Sequence, residues 1–287
     1  IGPRQAAHIH YVRQRGLAYV PWRESAVQAA LQLLPTFAVM QAPIGGVHYA
    51  PSGTLRNRLD EAVDPREIVV ENNVSLYAGL RILEATLRAQ LQHDRALDPG
   101  DRAAIDRALA LIAVMLHGGQ NPDAAPTAGL LAFLREHAWR DGEFVQGGLA
   151  LGPQEGNAWL PTTSPRAVDA NTWGVAALGP GTIDGWFGFG AAVRNWQQLK
   201  RWGGYGEGAT LWGVGYSELD GNGIDANGAY RSGILSSEWT AGAITMVRSM
   251  IAHYGRIERD EPRYAEAQRY LEELRRDEQS MLAGIQR

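Results

Sequence analysis

The sequence predicts a mainly α-helical chain with short β-hairpins in the loops, and three observations carry that expectation. Seven segments show helical periodicity, and glycine and proline gather between them rather than within them. Three times, a glycine-rich aromatic excursion is followed by an apolar helix with an acid at its head: GGVHYAPSGT then Glu71-Asn72-Asn73, DGEFVQGGLALGPQEG then Asp169-Ala170-Asn171, and GGYGEGATLWGVGYSELDGNG then Ser237-Glu238-Trp239. A unit used three times implies a ring of helices whose polar ends converge on one cleft.

The periodic segments are 23–41, 73–93, 100–117, 126–138, 186–202, 238–254 and 261–284. Pro99-Gly100-Asp101 opens the third and Gly118-Gly119 closes it, while Glu261-Pro262 opens the last. That last segment sets Tyr264, Ala267, Tyr270, Leu271, Leu274 and Met281 on one side, as an outer helix of the body would. Segments 45–55, 143–151 and 203–216 alternate apolar and small residues and are expected to form short strands or hairpins at one end of the helical body. The longest irregular stretch, 142–168, has the length of a functional or mobile loop. No linker separates two periodic regions, so one domain is expected over 1–287.

Composition narrows the function. The 287 residues suffice for a large core, the net charge is -4, and only Lys200 among 27 cationic residues is lysine. Without a concentrated basic field, nucleic acid is not expected as a partner. There is no cysteine, which excludes disulfides, thiolate metal sites and cysteine nucleophiles. No run of 18 apolar residues suggests a membrane span. The chain opens Ile-Gly-Pro, which fits removal of an export signal or upstream segment and a secreted or periplasmic setting.

Phosphate loops, nucleophile elbows and metal-binding H-E-x-x-H helices are absent from the sequence. Gly188-Phe189-Gly190 looks like the start of a dinucleotide loop but lacks the third small residue and a preceding strand. The histidines are scattered; His8 and His10 alone are close together, in an end segment where solvation is the simpler expectation. Asp220, Asn222 and Asp225 alternate with glycines as calcium ligands do, although Ile224 and Arg231 break the helix-loop-helix pattern and an Asx-rich turn explains the same residues.

The carboxylates carry more weight. Glu71, Asp169 and Glu238 each fall where exposed amides and the helix dipole stabilise negative charge, which is also a sufficient reason for an acid to be there. The first two share the frame acid-x-Asn, while the third aligns best on Trp239, which displaces its acid by about two positions. Three acids in a repeated unit favour a shared cleft. Cleavage of a glycosidic bond needs one carboxylic acid for the leaving oxygen and one carboxylate for water or direct attack. Aromatic faces for stacking on sugars are available at Trp173, Trp212, Trp239, Tyr77, Tyr205 and Tyr216.

On these residues, ENN at 71–73, DANTW at 169–173 and SSEW at 236–239 with the intervening hairpins, the chain resembles the (α/α)-toroid carbohydrate-active enzymes. That broad group contains inverting six-hairpin glycosidases and several polysaccharide lyases. The resemblance spans about residues 20–285, in architecture and motif style, and fits no single family. It implies alternating inner and outer helices, an active site where inner-helix N-termini meet the loops, and either an open ring or a ring that has lost N-terminal hairpins. A polysaccharide hydrolase is the leading expectation, with Asp169 and Glu238 as the catalytic pair and Glu71 as a third carboxylate or substrate ligand. A uronate-directed lyase is the second; it would use Tyr205, Tyr216 or His48 as base, with Asn72, Asn73, Asn171, Arg166 or Arg231 neutralising the substrate carboxylate. A noncatalytic module binding glycan or protein is the third.

Overall fold

The computed structural model describes residues 19–56, 61–121 and 124–286, so His8 and His10 lie outside the described residues. It is mainly helical, with short strands paired in the loops. No helix among the described residues is long and apolar enough to cross a membrane. By packing, the chain divides into two compact units, residues 1–137 with 148–160, and residues 138–147 with 161–287.

In the first unit, α1 (Ser25–Val39) is followed by β1 (Leu55–Arg56), β2 (Glu61–Ala62) and β3 (Glu67–Val69), then α2 (Val70–His93) and α3 (Pro99–His117). Helix α2 buries Val70, Val74, Tyr77, Leu80, Leu83 and Leu87, a stripe at spacings of three and four residues that makes one continuous apolar face. Asp98 caps α3 by accepting the Gly100 N–H at 2.7 Å, with Pro99 pre-set in the first turn. Segment 126–138 becomes a single α-turn, α4 (Leu130–Phe133), that widens into a π-turn over Leu134–Ala138. Two backbones nearly touch at its entry: a Cβ on Gly45, whose φ is +100°, would lie 2.1 Å from the carbonyl oxygen of Gly129.

The stretch 142–168 is ordered by strands rather than irregular. Within it run β5 (Glu143–Phe144), β6 (Gly147–Ala150) and β7 (Trp159–Thr162), and β6 lies between β3 and β7 in a three-stranded sheet. Strands β5 and β6 fall in segment 143–151, where alternation led strands to be expected, whereas β7 was not predicted.

The second unit holds the hairpin of β4 (Trp139–Arg140) with β5, then α5 (Val168–Leu178), α6 (Pro180–Phe187), α7 (Ala191–Gly203), the hairpin of β8 (Gly204–Glu207) and β9 (Thr210–Val214), α8 (Ser237–Tyr254) and α9 (Tyr264–Ile285). The periodic segment 186–202 is therefore two helices. Gly188 and Gly190 take φ of +91° and +79°, turning the chain, and buried Asp184 accepts the Gly190 and Ala192 N–H groups at 3.0 and 3.1 Å to start α7. The dinucleotide-like glycines thus form a helix corner. Met246, Val247, Met250 and Tyr254 of α8 and Leu271, Leu274 and Met281 of α9 are buried in the core of this unit. At its edge, Lys200 is buried with its ammonium 2.5 Å from Asp277 and 2.8 Å from Glu273. Burial works to lower the Lys200 pKa, but the two carboxylates outweigh it and raise it.

Candidate functional site

One hydrogen-bonding device recurs in all three repeats. In the first, Asn73 accepts the Val47 N–H at 2.7 Å and donates to the Val47 carbonyl at 3.0 Å. In the second, Asn171 accepts the Phe144 N–H at 2.8 Å and donates to the Phe144 carbonyl at 3.2 Å. In the third, the Thr240 hydroxyl accepts from Val214 N–H at 3.0 Å and donates to the Val214 carbonyl at 3.4 Å. Each side chain clamps both polar groups of one hairpin residue, as a neighbouring strand would. The clamped residues precede their clamps by 26, 27 and 26 positions.

The clamp fixes the alignment of the repeats. Each lies four residues after an extended N-cap, Val69, Ala167 or Ser236, and both asparagines also donate to that N-cap carbonyl. Glu71, Asp169 and Glu238 therefore occupy the same second helical position. The two-residue displacement expected of Glu238 is corrected: the constant feature is acid-x-clamp, with Thr240 standing where the other repeats carry Asn. At this position a carboxylate lies against the unpaired amides of the first turn.

The clamp also settles what Asn73 and Asn171 do. Both are buried, and their amides bond backbone groups of the fold. Tyr77 is likewise buried on the apolar face of α2, and burial raises its pKa. Glu71 is half-buried and accepts a hydrogen bond from the Ser75 hydroxyl at 3.0 Å. Asn72 beside it is exposed.

In the second unit the helices that carry Asp169 and Glu238 start side by side. Val168 N–H donates to the Tyr216 carbonyl and Ser236 N–H to the Val214 carbonyl, each at 2.9 Å, so one extended segment holds both N-termini. Deeper in, Trp173 and Gly242 occupy the sixth position of their helices, and a Cβ on Gly242 would lie 3.1 Å from Trp173 Nε1. The helices thus run parallel and in register, with Asp169 and Glu238 one turn above that contact. Asp169 is half-buried and Glu238 exposed.

Aromatic surface surrounds this edge. Trp173 is 39 % exposed and Tyr216 49 % exposed, and the Tyr216 ring meets half-buried Trp239 edge-on with centroids 5.6 Å apart. Just ahead of α5 in the chain, Arg166 bonds Glu218 at 2.8 Å and Glu143 at 3.4 Å and lies over the Trp202 ring, whose Nε1–H donates to Glu143 at 2.6 Å. Hydrogen bonding from Ser164 and the Arg166 guanidinium lower the Glu218 pKa.

Other predicted site residues lie elsewhere. Tyr205 and Trp212 face each other across the β8–β9 hairpin with centroids 6.4 Å apart. Arg231 is exposed and donates to the Asn222 carbonyl. His48 belongs to the first unit, one residue past the clamped Val47. In the glycine-rich loop, Asp220 accepts the Tyr216 and Ser217 amides, Asn222 bonds Ile234 and Gly233, and Asp225 accepts the Asn227 and Ala229 amides. The Asp225 pattern is that of an Asx turn, Asp220 closes a capping box with Ser217, and Asn222 ties the loop to residues 233–234. Among the described residues, no cluster of three or more His, Asp or Glu side chains is arranged to hold a metal.

No protein-family model matches the chain, and no curated protein matches it. Among solved structures it is similar to an unsaturated glucuronyl hydrolase from Bacillus sp. GL1, responsible for the degradation of glycosaminoglycan, at 14% identity and a TM-score of 0.41, over 92% of this chain and 57% of that one. A second structure, of UGL with dGlcA-Glc-Rha-Glc, is similar at 14% identity and a TM-score of 0.42, over 88% and 55%. The chain spans a little over half the length of these two.

Proposed function

We propose that the chain is a glycoside hydrolase in which Asp169 and Glu238 act as an acid/base pair on a polysaccharide. The observation that carries this is their placement: two carboxylates at the same depth on adjacent parallel helices, with Trp173, Tyr216 and Trp239 beside them. Inverting cleavage requires roughly 6.5–9.5 Å between the two carboxyl groups, which leaves room for a water. One protonates the leaving oxygen while the other takes a proton from water as it attacks the opposite face of the sugar. The exposed rings supply flat surfaces for the sugar to stack on.

Elimination is the less supported chemistry. A lyase needs donors directed at a substrate carboxylate, and Asn73 and Asn171 are taken up by the clamps while Arg166 already faces two carboxylates. Incubation with a panel of neutral and uronic-acid polysaccharides, following reducing ends and unsaturated-uronate absorbance together, tests the proposal. Reducing ends without absorbance support it. Absorbance rising in step would assign the lyase, and silence in both channels the noncatalytic module.

A further inference from the structure

One side chain ties the start of the helix that carries Asp169 to α7. Asn195 of α7 is fully buried and donates from Nδ2 to Asn171 Oδ1 at 2.8 Å and to the Gly142 carbonyl at 3.0 Å. Asn171 is the clamp of the second repeat, and this bond saturates its amide: Oδ1 accepts from Phe144 N–H and from Asn195, while Nδ2 donates to the Phe144 and Ala167 carbonyls. Gln198, one turn along α7, donates to the Asp141 carbonyl at 3.2 Å, so the same helix also holds the turn between β4 and β5. Among the described residues, neither Asn73 nor Thr240 accepts from a second side chain. The buttress belongs to the repeat of Asp169.

An asparagine at this place is not the choice that packing favours. Asn195 Oδ1 is buried without a hydrogen-bond partner, which costs about 1–3 kcal/mol. An apolar side chain would avoid that cost, and Asn171 Oδ1 would keep its Phe144 donor. What Asn195 adds is fixed placement of the clamp. Ala167 is the N-cap of α5 and Asn171 its fourth residue, so holding the two together fixes the turn in which Asp169 lies. Acid/base chemistry is sensitive to such placement, because an error of about 1 Å can cost on the order of 10²-fold in rate. We infer that Asn195 is a positioning residue that fixes Asp169 in place, acting through Asn171. This role in turnover rests on Asp169 being one of the catalytic pair.

Asn195→Ala removes both bonds, and Asn195→Ser is the milder variant to use if the first does not fold. Amide hydrogen exchange is measured at Phe144, whose N–H Asn171 accepts, at Val168, whose N–H bonds Tyr216, and at Val214, the clamped residue of the third repeat in the same unit. The expected result is exchange about tenfold faster at Phe144 and Val168, with Val214 unchanged. On a polysaccharide the protein cleaves, kcat should fall about tenfold with KM within about twofold. Retained protection at Val214 separates that fall from a loss of folded protein. Equal acceleration at Val214 would make Asn195 a general stabiliser and overturn the inference. Unchanged exchange at Phe144 and Val168 would overturn it too, as would an unchanged kcat when those two amides quicken. Turnover retained in Asp169→Asn would sink the catalytic pair instead, and the exchange pattern would still decide whether Asn195 holds the start of α5.

Discussion

The first-unit repeat and the second-unit repeats share one local device and differ in what surrounds it. At Glu71 the clamp Asn73 holds Val47, and the carboxylate accepts from Ser75 one turn along its own helix. At Asp169 and Glu238 the clamps Asn171 and Thr240 hold Phe144 and Val214, and their two helices start against one extended segment amid exposed aromatic rings. An acid in the first turn is thus a property of the repeat, explained by helix electrostatics. Candidacy for chemistry comes from the second carboxylate and the aromatic surface beside it.

If the clamps are equivalent, their loss should cost alike in both units. Asn73→Ala and Asn171→Ala each strand a buried backbone N–H and C=O, and each is expected to lower stability by about 3 kcal/mol in denaturant unfolding. A much smaller cost at either would break the equivalence. The third clamp uses one hydroxyl for both bonds, the weaker at 3.4 Å, so Thr240→Val should cost less, about 1–2 kcal/mol in the same assay. An equal or larger loss would mean that Thr240 does more than clamp Val214.

The aromatic difference can be tested on substrate. Trp239→Ala should raise KM about tenfold for a polysaccharide the protein cleaves, with unfolding little changed, as loss of a stacking face predicts. Tyr49→Ala, on the exposed first-unit ring, should leave KM within about twofold.

The smallest effect is acid sensitivity at one corner of the first unit. Arg66 holds the Asp64 pKa at about 2, below its ordinary 3.8. Because the folded value is the lower one, the contribution is full above the unfolded pKa and is lost as pH falls from there through about 2. Arg66→Gln should therefore narrow the stability difference from wild type across that window, as read by acid titration of the unfolding midpoint. A difference that persists to the lowest pH would assign Arg66 a role beyond the ion pair.

Most helix positions were legible from apolar spacing: 100–117 and 238–254 match α3 and α8 within one residue at each end. Where prediction failed, a particular contact decided. The break in 186–202 depends on Asp184 capping a helix across Gly188 and Gly190, a bond that periodicity does not register. The third repeat was misaligned because Trp239 resembles Trp173, whereas the structural constant is a buried polar clamp that can be Asn or Thr. The recurring interval of 26 or 27 residues between a hairpin apolar residue and the polar residue two past each acid was the available signal. The acids themselves were legible; that Asp169 and Glu238 lie level on neighbouring helices required the packing of Gly242 against Trp173.

The most direct test is turnover of Asp169→Asn and Glu238→Gln beside Glu71→Gln, on whichever polysaccharide releases reducing ends, with folding checked by circular dichroism. The account predicts a fall of about 10²–10⁴ in kcat for each member of the second-unit pair and a far smaller change at Glu71. Activity retained in Asp169→Asn or Glu238→Gln, or lost as completely in Glu71→Gln, would contradict it.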